Sequence, residues 1–145
     1  MTFQAIRAAY EDHIRTAAAA LTPPVPVFFE NQPFTDADAA KEHILMRLDF
    51  GVIGEETIGD MVENVRGSLV VEVYTLKGRG PGRSQVVAAA LAKALSAMNA
   101  QRRKAATGVR ASIHPIIGPS FAALEGKPHF FARVGCGFQA SYTVP

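Results

Sequence analysis

Gly67-Ser-Leu-Val-Val-Glu-Val-Tyr-Thr-Leu76 shows the alternation of residue types that is typical of a strand with one buried face. The buried set is predicted to be Leu69, Val71 and Val73. The outer set is predicted to be Ser68, Val70, Glu72, Tyr74 and Thr75. The next segment, Lys77-Gly-Arg-Gly-Pro-Gly-Arg83, contains three glycines and a proline, so the backbone turns sharply there and the ladder ends.

A helix is predicted after this glycine loop. Ser84 is a suitable N-cap, because its hydroxyl can accept a hydrogen bond from an amide of the first turn. Apolar residues then follow at helical spacing, at Val87, Leu91, Ala94, Leu95 and Met98. A strand, a glycine loop and a helix in succession describe a scaffold, and no catalytic set is recognisable in the chain.

The composition is that of a single soluble domain spanning residues 1–145, with 48% hydrophobic and 19% charged residues. Fifteen Lys and Arg against thirteen Asp and Glu leave a net charge of +2, which is too small to indicate nucleic-acid binding. The single cysteine, Cys136, cannot form an intrachain disulfide, which favours a cytosolic compartment. Neither a membrane span nor a signal peptide is recognisable.

The remaining elements follow from their periodicity. A helix from Thr2, its predicted cap, to about Leu21 carries an apolar stripe of Phe3, Ile6, Tyr10, Ile14, Ala17 and Leu21. Strands are predicted at 25–30, 43–53, from residue 65, at 109–117 and at 129–142. Pro26 indicates that the first of these is an edge strand or that Pro26 stands at a strand start. Residues 118–128 are predicted to be a connection.

These elements predict an α+β fold in the order α-β-β-β-α-β-β, with two helices on one face of a mainly antiparallel sheet. The strands on either side of residues 54–64 form a long β-hairpin. At ten to twelve residues each they reach roughly 35–40 Å, because a strand rises ~3.3 Å per residue. Such a hairpin is expected to project beyond the domain body, where a partner could grip it.

The glycine loop is the first candidate for a ligand site, because strand–glycine loop–helix units hold phosphates. It departs from the P-loop pattern, whose first glycine would have to stand at Lys77. It also departs from the dinucleotide fingerprint, because Arg83 occupies the position of the third glycine. A small phosphate- or nucleotide-binding module that uses residues 78–84, with Arg79 and Arg83 beside the anion, is therefore the alternative function.

The other reactive side chains give no cofactor, metal or catalytic site. None of the four histidines stands at zinc-site spacing from another ligand in the sequence; they are His13, His43, His114 and His129. Cys136 falls on the apolar side of the last strand and is predicted to be a small buried hydrophobe. The chain is therefore not expected to be an enzyme.

The sequence contains an acidic cluster within residues 55–63 and a basic cluster at residues 102–104. Each is either solvated surface, or the two are complementary patches that meet between copies of the chain. Together with the glycine loop they give the candidate subunit contacts Glu55, Glu56, Asp60, Glu63, Gly78, Arg79, Gly80, Gly82, Arg83, Arg102, Arg103 and Lys104. A third hypothesis, nucleic-acid binding through residues 102–104 and Arg110, predicts strongly salt-dependent retention on DNA.

Over nearly its whole length the chain resembles the tail terminator proteins of bacteriophages with long, non-contractile tails, including small prophage relatives. The resemblance lies in the order and spacing of its parts. The first strand closes in Phe28-Phe-Glu-Asn-Gln-Pro-Phe34, and a long hairpin returns through Gly67-Ser-Leu-Val-Val-Glu-Val-Tyr74. The glycine loop, the helix over residues 84–98 and two final strands complete the succession.

The resemblance implies a non-enzymatic virion protein of tail assembly. Such proteins cap the tail tube as a ring, expected to be a hexamer, end tube polymerisation and provide the surface for head joining. The implied partners are copies of the chain itself, the tail tube protein and a head-completion protein, without a membrane, a cofactor or a specific nucleic acid. The implied location is the bacterial host cytoplasm during assembly and then the virion tail, and the isolated chain can stay monomeric until a tube end templates the ring.

Overall fold

The computed structural model describes residues 2–30, 32–55, 62–76, 82–101, 109–123 and 129–143. These residues form an α+β fold, as predicted, with three helices and six strands where two helices and five strands were expected. In chain order the elements are α1 (Thr2–Ala19), β1 (Val27–Phe29), α2 (Asp36–Ala39), β2 (His43–Glu55), β3 (Val62–Leu76), α3 (Gly82–Gln101), β4 (Val109–Ile113), β5 (Ile117–Ala123) and β6 (His129–Thr143).

The six strands form one mixed sheet in the order β1-β2-β3-β6-β4, and β5 also pairs with β6. Only β1 runs parallel to its neighbour, β2, and the other pairs are antiparallel. The prediction of a mainly antiparallel sheet with the first strand at its edge is confirmed. β4 lies against residues 138–142 of β6, and β5 lies against residues 130–135, so the two short strands share one long neighbour.

Strand β5 occupies part of the segment that was predicted to be a connection, so that prediction is wrong for residues 118–123. The strand expected over 109–117 ends at Ile113, and the chain pairs with β6 again from Ile117. Gly118 has a φ of 103°, and the register shifts between Ile117 and Ser120. A glycine and a proline are therefore accommodated in a β-bulge, where the local sequence had indicated a loop.

The long hairpin is present, but it is not a free arm. Its strands have 13 and 15 residues and pair from His43↔Tyr74 to Glu55↔Glu63, so they extend beyond the predicted bounds. However, β6 pairs with β3 along its full length, from Leu76↔His129 to Val62↔Thr143. A third long strand therefore accompanies the hairpin, and projection of the hairpin beyond the domain body stays a prediction.

Helices α1 and α3 contact each other, and α3 packs on β3, β4 and β6. The predicted stripe of α1 is confirmed at its centre, where Ile6, Tyr10 and Ile14 are fully buried, while Phe3 is 38% exposed. Four of the five predicted apolar positions of α3 are buried, Val87, Leu91, Leu95 and Met98, while Ala94 is half-buried and Ala88 is an additional buried residue. No helix in the described residues has the length and apolar character needed to cross a membrane.

Two local predictions are wrong. Ser84 is fully buried inside α3 and is not its N-cap, because the helix already begins at Gly82. Thr75 is buried on the inner face of β3, because it lies an even number of residues from Leu69 and a strand alternates with period two. The short α2 is one turn, held by a capping box in which the Thr35 hydroxyl accepts from the Asp38 amide.

The inner faces of the strands form the core beneath the helices. Alternation is confirmed in all three long strands; their buried residues include Ile44, Met46, Leu48, Val65, Leu69, Val71, Val73, Ala132, Val134, Cys136, Phe138 and Ala140. Tyr10 joins this layer to the sheet edge, because its hydroxyl donates to the Ser112 carbonyl at 2.8 Å. The opposite face of the sheet lies on the far side from α1 and α3.

Candidate interaction surface

The sheet face opposite α1 and α3, here called the open face, carries a mixture of polar, small and half-buried apolar residues. The alternation that buries the inner set assigns the intervening residues to this face. They include Leu45, Arg47, Asp49, Ser68, Val70, Glu72, Tyr74, Phe131, Arg133, Gly135, Gly137 and Gln139. The open face is therefore a broad surface of three long strands rather than a closed pocket.

A chain of polar contacts crosses the open face from β2 to β3. Arg47 Nη2 lies 3.1 Å from Glu72 Oε1, and the Tyr74 hydroxyl donates to Glu72 Oε2 at 2.8 Å. Burial and the bond to Glu72 raise the pKa of Tyr74 to about 12. Tyr74 is therefore a neutral hydrogen-bond donor at physiological pH, and both carboxylate oxygens of Glu72 are engaged within the subunit.

An aromatic cluster closes one end of the open face. The ring of His43 stacks on Tyr74, with centroids 4.6 Å apart and planes at 13°, and His129 stands edge-on to both rings. Phe28 and Phe34 pack against the same histidine. Both histidines are buried.

One backbone carbonyl accepts a hydrogen bond from both rings. The Lys41 oxygen lies 2.7 Å from His43 Nδ1 and 3.3 Å from His129 Nε2. A carbonyl oxygen only accepts hydrogen bonds, so each of these nitrogens carries a proton. Burial lowers the pKa of His43, and this outweighs the opposing effect of the Lys41 carbonyl.

The cluster joins groups that are far apart in the sequence, which is why sequence analysis missed it. His43 begins β2 and His129 begins β6, and β3 lies between the two strands. The available signal was that each histidine stands at the start of a predicted strand. Recognising that they are close together also required the order of the strands in the sheet. In the described part of the chain, no three His, Cys, Asp or Glu residues come together in a way that could hold a metal ion.

Cys136 is 5% exposed on the inner face of β6, which confirms its predicted burial. Burial raises the pKa of its thiol to about 11, so almost none of it is thiolate at neutral pH. It therefore packs as a small apolar residue, as predicted.

Arg83, one of the candidate contact residues, makes hydrogen bonds within the subunit. Its Nε donates to Glu42 Oε1 at 2.9 Å, and its two other nitrogens donate to the carbonyls of Thr22 and Pro23 at 3.2 and 2.7 Å. These bonds tie the start of α3 to the segment after α1 and to the residue before β2. The adjacent Gly82 is the exposed first residue of α3.

The structure brings Glu55 and Glu63 together as the last register pair of β2 and β3. The other candidate contacts lie outside the described residues; they are Glu56, Asp60, Gly78, Arg79, Gly80, Arg102, Arg103 and Lys104. The pairing of acidic and basic patches between copies, and an anion site in the glycine loop, therefore stay predictions.

Comparison with known proteins gives information on the fold of this chain and none on its function. No family model matches this chain, and no curated protein matches it. Among solved structures 36 chains match. One of them, a protein without a descriptive name, has 23% sequence identity and a TM-score of 0.74, with 100% of this chain and 99% of that chain covered. At this identity the likeness shows the fold alone.

Proposed function

We propose that this chain is a non-enzymatic phage tail assembly protein that caps the tail tube as a ring, expected to be a hexamer. The ring ends tube polymerisation and provides the surface to which the head joins. The proposal originates in the resemblance of the sequence to tail terminators. The structural observation that supports it best is the sheet of β2, β3 and β6, whose open face lies opposite the core that α1 and α3 cover.

The size of this face suits a protein partner. Strands of 13 to 15 residues at ~3.3 Å per residue, spaced ~4.8 Å apart, give three strands an area of roughly 45 by 14 Å, or about 600 Å². A stable protein interface buries about 800 Å² on each partner. The open face therefore supplies about three quarters of such an interface, and a contact with a neighbouring subunit or a tube would also use the surface around it.

The edge of β2 supplies a second feature suited to assembly. β1 covers only residues 44–46 of this edge. At Leu48, side chains close the edge, because Glu30 Oε1 accepts from its amide at 2.6 Å and Arg7 Nη2 donates to its carbonyl at 3.2 Å. Beyond Leu48, no strand of the described residues pairs with this side of β2. An uncovered edge accepts backbone from another chain, so we propose that copies meet near Glu55 and Glu63.

The charged contact candidates fit the same arrangement. The acidic set Glu55, Glu56, Asp60 and Glu63 and the basic set Arg102, Arg103 and Lys104 form a head-to-tail contact, which closes into a ring when the rotation allows. Attraction between exposed patches is screened by salt, with a Debye length of about 8 Å at physiological ionic strength. Ring formation on the tube is therefore expected to weaken as salt increases.

The proposal is tested by adding the purified chain to polymerising tail tube protein of the same phage and measuring tube lengths by electron microscopy. Capping predicts short tubes with a ring at one end. A variant carrying R102E, R103E and K104E is expected to leave tubes long, while R15E, which changes an exposed arginine on α1, is expected to cap normally. Tubes of unchanged length with the wild-type chain would remove the proposal.

The alternative, a phosphate-binding module at residues 78–84, is separated by thermal unfolding with nucleotides and inorganic phosphate. A ligand at a hundred times its Kd adds ~2.7 kcal/mol of stability. The ring proposal expects no shift, and a saturable shift that is abolished by R79A would favour the alternative.

A further inference from the structure

A groove of about 450 Å³ lies on the open face, over β6 and between β3 and β5. Its rims are formed by Ser68 and Val70 on one side and by Ile117 and Ser120 on the other. The backbone at Gly135 forms its floor, and Arg133 stands at one end.

The floor of the groove is open because Gly135 has no side chain. The surrounding backbone leaves space for one. A Cβ atom on Gly135 would come no closer than 3.7 Å to the Leu69 carbonyl oxygen, which is ordinary van der Waals contact. The neighbouring Gly137 differs, because the His114 ring would lie 3.3 Å from its Cβ and already covers it. Packing within the subunit therefore does not require glycine at position 135. A side chain of a partner seated over this position would require it.

The walls of the groove on both sides of Gly135 are apolar. Gly135 is in register with Val70 of β3 and with Ile117 of β5. Two strand spacings separate these flanking residues, or about 10 Å, which leaves room for one side chain between them. Ile117 is 78% exposed, so it has apolar surface to contribute to a partner.

The charges around the groove favour an acidic occupant. Arg133 and Arg66 are exposed, and neither makes an ion pair with a side chain that the structure describes. Glu72, which is in register with Arg133, is instead bound to Arg47 and Tyr74. Asp49 of β2, in register with Ser68, is a further carboxylate on this face. Arg66 is in register with Gln139, so along β6 the two arginines are six residues apart, or roughly 20 Å.

We infer that this groove binds an extended acidic peptide segment of a partner protein, with an apolar side chain over Gly135 and carboxylates at Arg133 and Arg66. In an extended segment, carboxylates six residues apart share a face with the residues at even spacing between them. The apolar side chain therefore points to the groove together with both carboxylates. Binding of this segment in the groove does not require ring formation.

The test uses a fluorescein-labelled peptide, Glu-Ser-Val-Ser-Val-Ser-Glu, whose symmetry makes it insensitive to direction. Fluorescence anisotropy is expected to show saturable binding to the full chain. We expect G135L, which fills the floor, and R133E, which reverses the charge, each to weaken binding by about tenfold or more. Matched controls are G54L, at a glycine with no atom within 4 Å of an added Cβ, and R15E on α1, and both are expected to bind within about twofold of wild type.

A third variant, I117S, keeps the test valid should G135L fail to fold, because Ile117 is mostly exposed and contributes little to the core. It is also expected to weaken binding, and circular dichroism checks that it is folded. The inference is overturned if the wild type shows no saturable binding or if folded G135L and I117S bind as tightly as wild type. It is also overturned if a control peptide with lysine in place of both glutamates, Lys-Ser-Val-Ser-Val-Ser-Lys, binds equally well. A chain that binds the peptide but does not cap tubes would retain this inference and lose the ring proposal.

Discussion

The imidazole rings of His43 and His129 lie 5.3 Å apart, edge to face, although their strands do not pair with each other. β3 lies between these strands and supplies Tyr74, which contacts both rings. A positive charge on His129 at this separation repels a proton on His43, so it disfavours protonation of His43 in the folded state.

His43 is therefore expected to make stability fall as the pH falls. Burial, followed by the charge of His129, lowers the pKa of His43 below its ordinary value of about 6.5. The unfolded chain then takes up this proton at a higher pH than the folded chain does. The stabilising contribution is complete above about pH 6.5 and is lost progressively between that value and the folded-state pKa. The midpoint of urea unfolding is expected to be lower at pH 5 than at pH 7.5.

The Asp38 carboxylate of α2 partly opposes the lowering of the His43 pKa, because it attracts a protonated His43.

A variant H43F keeps a ring against Tyr74 and is expected to flatten the pH dependence of stability. H13Q, on α1 and outside the cluster, is expected to retain it. Equal slopes in wild type and H43F would show that another group is responsible.

Gly67 in β3 is expected to tolerate no side chain. An added Cβ would overlap the Asp49 carbonyl oxygen and lie 2.6 Å from the ring of Phe138, which is fully buried. G67A is expected to cost about 3 kcal/mol of unfolding free energy or to prevent folding. G54A, in the same hairpin, meets nothing within 4 Å and is expected to change stability by less than about 0.5 kcal/mol. Similar urea midpoints for the two variants would contradict this packing.

Arg83 is expected to contribute to stability within the isolated subunit. R83A removes a charged hydrogen bond to Glu42 and leaves two carbonyl oxygens without their donor. The expected cost is about 2 kcal/mol by urea unfolding. R83K keeps the charge but cannot span three acceptors, so it should fall between wild type and R83A. An unfolding free energy of R83A equal to that of wild type would contradict this role and would favour a contact of Arg83 between copies.

Cys136 is expected to react with thiol reagents only when the chain opens. A pKa of about 11 leaves roughly a thousandth of the thiol ionised at pH 8, against about a quarter for an ordinary cysteine. Dithionitrobenzoate should therefore react more than about 100-fold more slowly with the folded protein than with the protein in urea. Equal rates would place the thiol at the surface.

The parts of the fold that depend on one repeating pattern were predictable. Burial imposes period two on β6 and helical spacing on α3, so Phe138 and Leu91 were assigned correctly from their neighbours alone. Gly118 was misleading because the same residue type serves loops and bulges, and only pairing with β6 distinguishes them. Likewise, the local sequence of the hairpin contains no sign that β6 pairs with it along its whole length.

The candidate sites depended more heavily on tertiary structure. Arg83 was recognised as a notable residue, but its partners Thr22 and Glu42 come from distant segments and could not be read locally. The adjacency of His43 and His129 required the order of strands in the sheet. The groove over Gly135 required β5, which had been assigned to a connection.

The most direct test of the central claim is the tail length of particles from a phage whose copy of this gene has been deleted. Electron micrographs are expected to show overlong tails without heads, with normal length restored when the gene is supplied in trans. Tails of normal length joined to heads in the deletion strain would contradict the account.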